Sequence, residues 1–142
     1  MIILDINILI YAYNKDDPQH AAATAWLAEL FNGPELIGLP WQTIWGFLRI
    51  GTNRRLLRET NGASVAFQNL RDWLAQPGVI VVEPGPRHLE LLERLVADGQ
   101  ATGPLVSDAS LAALAMEHGA ILASTDKDFS RFSGLRWINP LA

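Results

Sequence analysis

The stretch whose reading decides the fold is the N-terminal one, MIILDINILIYAYN at residues 1–14. Its first four residues are apolar without a break, and the fifth is a carboxylate, Asp5. Strict alternation marks a half-buried strand, whereas an unbroken apolar run fits a strand covered on both faces, as in a parallel sheet. Met1–Asp5 reads as such a strand and Asn7–Tyr13 as a short helix behind it. Asp5 itself is hard to explain as packing, because a carboxylate closing an apolar strand is costly without a partner.

Outward from this strand, apolar spacing predicts helices over Pro18–Phe31, Trp41–Ile50, Ala63–Leu74, Pro86–Ala97 and Asp108–His118. Gly33-Pro34 stops the first of these, and Gly119 serves as C-cap of the last. Leu36–Leu39 and Ala120–Ala123 read as strands, Val79–Val82 as a buried strand and Leu135–Ile138 as an edge strand. Asp128–Phe132 fits one helical turn. Strands that alternate with helices imply an α/β fold with a mostly parallel sheet. No repeat, low-complexity run or linker interrupts the chain, so residues 1–142 read as one domain.

Composition narrows the function. Apolar residues make up 49% and charged residues 18%, which excludes disorder. With no cysteine there is no disulfide, thiol nucleophile or thiolate metal site. No apolar run reaches the roughly 18 residues of a membrane span, and the N-terminus lacks a signal peptide's basic region, so the expectation is a cytoplasmic protein with no membrane contact. The formal charge of −4 argues against bulk attraction to nucleic acid. Yet Arg49, Arg54, Arg55, Arg58 and Arg71 put five of the 11 basic residues into one stretch, while the first 45 residues contain only Lys15.

Three aspartates share one topological address. Asp5 closes the first strand, Asp126 follows the strand at 120–123, and Asp108 opens a helix. Sites in parallel sheets form outside the carboxyl ends of strands, where the strand order reverses. If the first strand neighbours 120–123, Asp5 and Asp126 meet there and Asp108 can join them. Carboxylates so crowded raise one another's pKa unless a cation holds them, and oxygen ligands without sulfur favour Mg²⁺ or Mn²⁺. Each acid also has a plainer reading. Asp108 suits a first helical turn. Asn7 is either an N-cap, the better reading of that residue alone, or a partner that orients Asp5. Asp126 and Asp128, two apart, diverge in a strand and in an α-helix alike, so at most one should face the crevice squarely. Asp126 is nearer the strand end, and Asp128 suits the cap before Phe129. His118 reads as structural, His20 and His88 as solvated, and the five tryptophans mostly as core.

The residues LDINILIYAYN (4–14), GLPWQTIWGFLRIGTNRR (38–55) and VSDASLAALAMEHGAILASTDKDFSRFSGLRWINPL (106–141), with Trp73 and Leu74, make the chain resemble the VapC toxins of the PIN-domain family, in the branch abundant in mycobacteria. The likeness runs along nearly the whole chain. It implies a three-layer α/β/α PIN-like sandwich and Mg²⁺- or Mn²⁺-dependent endonucleolytic cleavage of RNA. It also implies inhibition by a cognate VapB-type antitoxin, and a homodimer. The family's metal-binding acids fall on Asp5, Asp108 and Asp126, with Asp128 a possible additional ligand and Asn7 behind them. In one respect the chain departs from the pattern. Many PIN domains carry a Glu where this chain has Gly46, which favours one well-held ion over two unless Asp128 or a distant Glu substitutes.

On this reading Asp5, Asp108 and Asp126 carry the chemistry, and Arg54 and Arg55 contact the RNA backbone. Two other classes compete. A PIN module weakened at Gly46 would bind RNA or antitoxin without cutting. A phosphatase using Asp5 as nucleophile would want a second Asp at the place Asn7 occupies.

Overall fold

The computed structural model describes residues 1–57 and 62–142. The unbroken apolar start does become a central strand, β1 (Ile2–Leu4), followed at once by α1 (Ile6–Tyr13). Then come α2 (His20–Asn32), β2 (Ile37–Pro40), α3 (Trp41–Gly51), α4 (Ala63–Leu74), β3 (Val79–Val82), α5 (His88–Asp98), α6 (Leu105–Glu117), β4 (Ile121–Ala123) and β5 (Trp137–Ile138). A 3₁₀ helix, Lys127–Arg131, lies between the last two strands.

The sheet order is β3-β2-β1-β4-β5, and every strand pairing is parallel. Alternate residues of β1 feed two separate cores, as a strand buried on both faces requires. Ile3 packs with Leu91 and Leu95 of α5, the apolar face of α6, Phe129 and Phe132. Leu4 packs on the opposite face with residues of α1 to α4, Ile8, Leu27, Ile44, Phe47 and Leu70 among them. The result is the expected three-layer sandwich. Thr43, buried in α3, donates to the carbonyl of Leu4 at 2.9 Å and so ties the helix layer to the end of β1. Among the described residues no helix is long and apolar enough to cross a membrane.

Four local readings are corrected. Val79–Val82 is an edge strand and is buried only at Val82, with Ile80 and Val81 exposed, because among the described residues nothing pairs on its far side. The helix expected to open at Asp108 begins at Leu105. Gly103 takes a left-handed turn (φ 56°), and Pro104, with its φ of −60°, leads into the helix, so Asp108 sits further along the first turn. His88 is not solvated: its Nδ1 lies 3.9 Å from Glu117 and its Nε2 3.4 Å from Ser110. Trp41 and Trp45 are not core residues. They are 44% and 64% exposed and stack on each other along α3 with ring centroids 6.2 Å apart.

Candidate metal centre

β1 and β4 run side by side in register from Ile2 with Ile121 to Leu4 with Ala123. The strand order reverses between them, because the chain adds β2 and β3 on one side of β1, then β4 and β5 on the other. The residues just past both strands therefore emerge at one switch point: Asp5 after β1, and Ser124, Thr125 and Asp126 after β4.

Asp5 is the N-cap of α1. Its Oδ1 accepts the Ile6 N–H at 2.7 Å, and its Oδ2 accepts the Ser124 hydroxyl at 2.7 Å. Asn7 therefore does not cap. It sits inside the first turn and reaches back, its Nδ2 donating to Ser124 Oγ at 3.1 Å and to Asp5 Oδ2 at 3.4 Å. Capping falls to Asp5 because Asp5 already holds extended backbone at the strand end (φ −82°, ψ 162°). Burial pushes the Asp5 carboxyl above its ordinary value. The Ser124 and Ile6 hydrogen bonds oppose this, and the charge of Asp126 adds to it.

Ser124 is fully buried and serves three groups at once. Its hydroxyl donates to Asp5 and accepts from Asn7 and from the backbone N–H of Asp126, the last at 3.0 Å. No sequence signal singled it out, since a lone Ser after a strand is unremarkable until its register is known.

Asp126 caps the 3₁₀ helix: its Oδ1 accepts the Asp128 N–H at 2.9 Å. The reading of Asp128 as the cap is thus reversed. The reading that Asp126 and Asp128 diverge fails with it, because the backbone between them is a tight turn, neither a strand nor an α-helix. Asp108, Asp126 and Asp128 each present a carboxylate oxygen within 4.8 Å of the others. Asp108 pays for this crowding. Its carboxyl is pushed up to about 6, first by burial, then by the charges of Asp126, Asp5 and Asp128, with Arg131 pulling the other way. Arg131 also stands 3.9 Å from Asp128.

Three convergent carboxylates beside a fourth, with no imidazole or sulfur among them, form the donor set of a hard divalent cation. They fit such an ion, which would relieve the repulsion felt at Asp108.

In front of Asp5 and Asp108 opens a cavity of about 340 Å³, which Ile6, Gln42, Trp45, Gly46 and Arg49 also line. Arg49, one of the basic stretch but not singled out there, is the arginine in this wall. Arg54 and Arg55 are exposed in the turn after α3 and do not line it. Arg58 lies outside the described residues. His118, as expected, is structural: it is the C-cap of α6, its Nε2 2.9 Å from the Glu83 carbonyl oxygen. His20 is not solvated, since its Nδ1 lies 2.9 Å from the carbonyl oxygen of Tyr11.

Comparison with known proteins decides the family. The family model for the PIN domain matches residues 2–135. The chain belongs to the PIN-domain family. Within it, the chain is 41% identical over 141 residues to Ribonuclease VapC33 of Mycobacterium tuberculosis, covering 99% of both proteins. It is 37% identical over 142 residues to Ribonuclease VapC37 of the same organism, covering 100% of this chain and 99% of the relative. The PIN fold extends to more distant solved structures. VapBC2 from Rickettsia felis, bound to a DNA fragment from its promoter, superposes with a TM-score of 0.74 at 17% identity over 98% of both chains. VapC20 of M. tuberculosis, a Sarcin-Ricin loop cleaving toxin, gives 0.66 at 21% identity, covering 96% of this chain and 99% of that one.

Proposed function

We propose that the chain is the toxin of a type II toxin–antitoxin pair, a divalent-metal-dependent endoribonuclease that acts in the cytoplasm. Residues 1–142 form a single PIN domain on this reading, Mg²⁺ is the working ion and Mn²⁺ its substitute. The carrying observation is the convergence of Asp108, Asp126 and Asp128 beside Asp5 at the β1–β4 switch point, in a chain that matches ribonucleases along its whole length.

Asp108, Asp126 and Asp128 would hold the ion together with Asp5. An ion so held supplies Lewis-acid stabilisation of phosphoryl charge and a water of lowered pKa. The rest of the work falls to the protein. Ser124 and Asn7 fix the Asp5 carboxylate so that it does not reorganise during the reaction. Arg49 faces the cavity and meets the RNA phosphate there, while Arg54 and Arg55 engage the backbone further along the strand. A VapB-type antitoxin is the expected partner, and a homodimer the expected assembly.

The module that binds without cutting gains nothing from Gly46, since three carboxylates converge without a side chain there. Incubating the purified chain with structured RNAs, with Mg²⁺ and with chelator, tests the reading. Cleavage confined to the Mg²⁺ arm supports it. RNA binding with no cleavage in either arm replaces it with the binding module.

A further inference from the structure

A second cavity, of about 390 Å³, adjoins the one at Asp5 and Asp108, and the two share Gln42, Trp45 and Ser110. Two helices form the rails of this double trough. Along α3, Arg49 lines the first cavity, Gln42 and Trp45 line both, and Trp41 lines the second. Along α6, Asp108 lines the first, Ser110 both, and Leu114 the second. From Arg49 back to Trp41 the α3 rail runs about 12 Å, at 1.5 Å per helical residue. Pro40 and Val82, the last residues of β2 and β3, line the second cavity too. The trough therefore keeps to the carboxyl edge of the sheet, where Asp5 also emerges.

The two halves differ in chemistry. The first holds carboxylates and an arginine. Among the described residues no arginine or lysine lines the second, whereas Glu83 does, so a phosphate finds no counter-charge there. What the second half presents is an aromatic pair, Trp41 stacked on Trp45 and both exposed. Beside the pair runs a polar edge. The Ser110 hydroxyl donates to Gln42 Oε1 at 3.3 Å and lies 3.4 Å from His88 Nε2. With Oε1 so engaged, the amide N–H groups of Gln42 are left for a ligand. Aromatic surface with a neutral hydrogen-bonding edge is what holds an unpaired base.

We propose that the second cavity holds one unpaired nucleobase of the RNA, next to the phosphate that is cut, with its face on the Trp41–Trp45 pair and its edge against Gln42. This rests on the ribonuclease reading above. Continuity decides for RNA over a protein side chain. A strand whose phosphate lies between Arg49 and the acids carries its adjoining base along the same two helices into the other half of the trough.

The test uses short unstructured RNAs that span a bond cut in the Mg²⁺ arm above. Their binding to the full chain in chelator, where nothing is cut, is followed by fluorescence anisotropy with each position made abasic in turn. The expected result is one position beside the cut bond whose base loss weakens binding at least about tenfold. Trp41→Ala/Trp45→Ala should flatten this profile, and Trp41→Phe/Trp45→Phe should keep it. Both rings are exposed, so their removal opens no core. Should the double alanine variant still not fold, Trp41→Ala alone, which leaves the lining of the first cavity intact, should lessen the loss at that position. A flat profile in the wild type overturns the inference and leaves the ribonuclease reading standing. A profile that persists in the alanine variant overturns it as well. If that variant keeps the profile and also turns a dimer into a monomer in sedimentation, the tryptophan face belongs to a second copy of the chain. An RNA that is cut in neither arm removes the reading and the inference together.

Discussion

The Asp128 N–H donates to Asp126 Oδ1 at 2.9 Å, and around this bond two acids that are two residues apart turn into the same crevice. The bond also divides the labour between them. Asp126 starts the 3₁₀ helix and faces Asp108, whereas Asp128 faces Asp108 without capping anything.

It follows that Asp126→Ala should cost on the order of 1 kcal/mol of stability through the lost cap, and Asp126→Asn much less, since Asn caps as well as Asp. Asp128→Ala should leave the fold almost unchanged. Both Asp126→Asn and Asp128→Asn should raise the Mg²⁺ concentration needed for half-maximal cleavage. Melting curves read the first effect and a Mg²⁺ titration the second. An Asp128→Asn protein with wild-type metal dependence would remove Asp128 from the ligand set.

The carboxyl of Asp108 gives a pH dependence with a definite sign. In the folded protein it titrates at about 6, above its ordinary 3.8, so the folded state binds this proton more tightly than the unfolded chain. Without metal, its destabilising effect is absent below the unfolded value, grows as pH rises through this window and is complete above 6. Metal-free Asp108→Asn should therefore melt higher than the wild type at pH 7.5, and the gap should close as pH falls from 6 toward 4. Saturating Mg²⁺ should erase the variant's advantage at pH 7.5. Calorimetric scans of both proteins across this range check it, and a gap that does not change with pH would contradict it.

Ser124 joins three groups through one buried hydroxyl, so Ser124→Ala leaves the Asp126 N–H and the Asn7 amide short of an acceptor and Asp5 short of a donor. The expected cost is about 1–3 kcal/mol. The Asp5 carboxyl, already raised by burial, should rise further without the bond that opposes this. Chemical denaturation measures the stability change, and the pH profile of single-turnover cleavage should show its acid limb moved to higher pH.

What was legible in the sequence was whatever a single element decides. The apolar run before Asp5 implied a central parallel strand, and the neighbourhood of β1 and β4 then brought Asp5 and Asp126 together. What was not legible depends on two elements meeting. Ser124 gains its role only through the register of β4 against β1. The joint approach of Asp126 and Asp128 depends on a 3₁₀ turn, which neither the strand nor the α-helix period describes. Gly46 read as a missing ligand. Its fit against Ile6, 40 positions away in sequence, appears only once α1 and α3 pack. The aromatic spacing of Trp41 and Trp45 looked like a core face for the same reason, since the pattern does not say which face of α3 is left uncovered.

The arginines separate by position. Arg49 lines the cavity that Asp5 and Asp108 also line, whereas Arg54 and Arg55 are exposed in the following turn, outside it. On the proposed reading, a positive charge inside the cavity acts on the phosphate nearest the acids, where the bond would be cut. On the same reading, charges outside it act on phosphates that anchor the strand. Arg49→Ala should therefore lower the single-turnover rate at saturating RNA by at least about tenfold, or roughly 1.4 kcal/mol of barrier. Arg54→Ala and Arg55→Ala should leave that rate unchanged, weaken RNA binding across sequences and each reduce the salt slope of binding by about one unit. Binding isotherms between low and physiological salt, with single-turnover rates for the same proteins, separate the two effects. If Arg49→Ala alters only binding, its place in the cavity is one of anchoring.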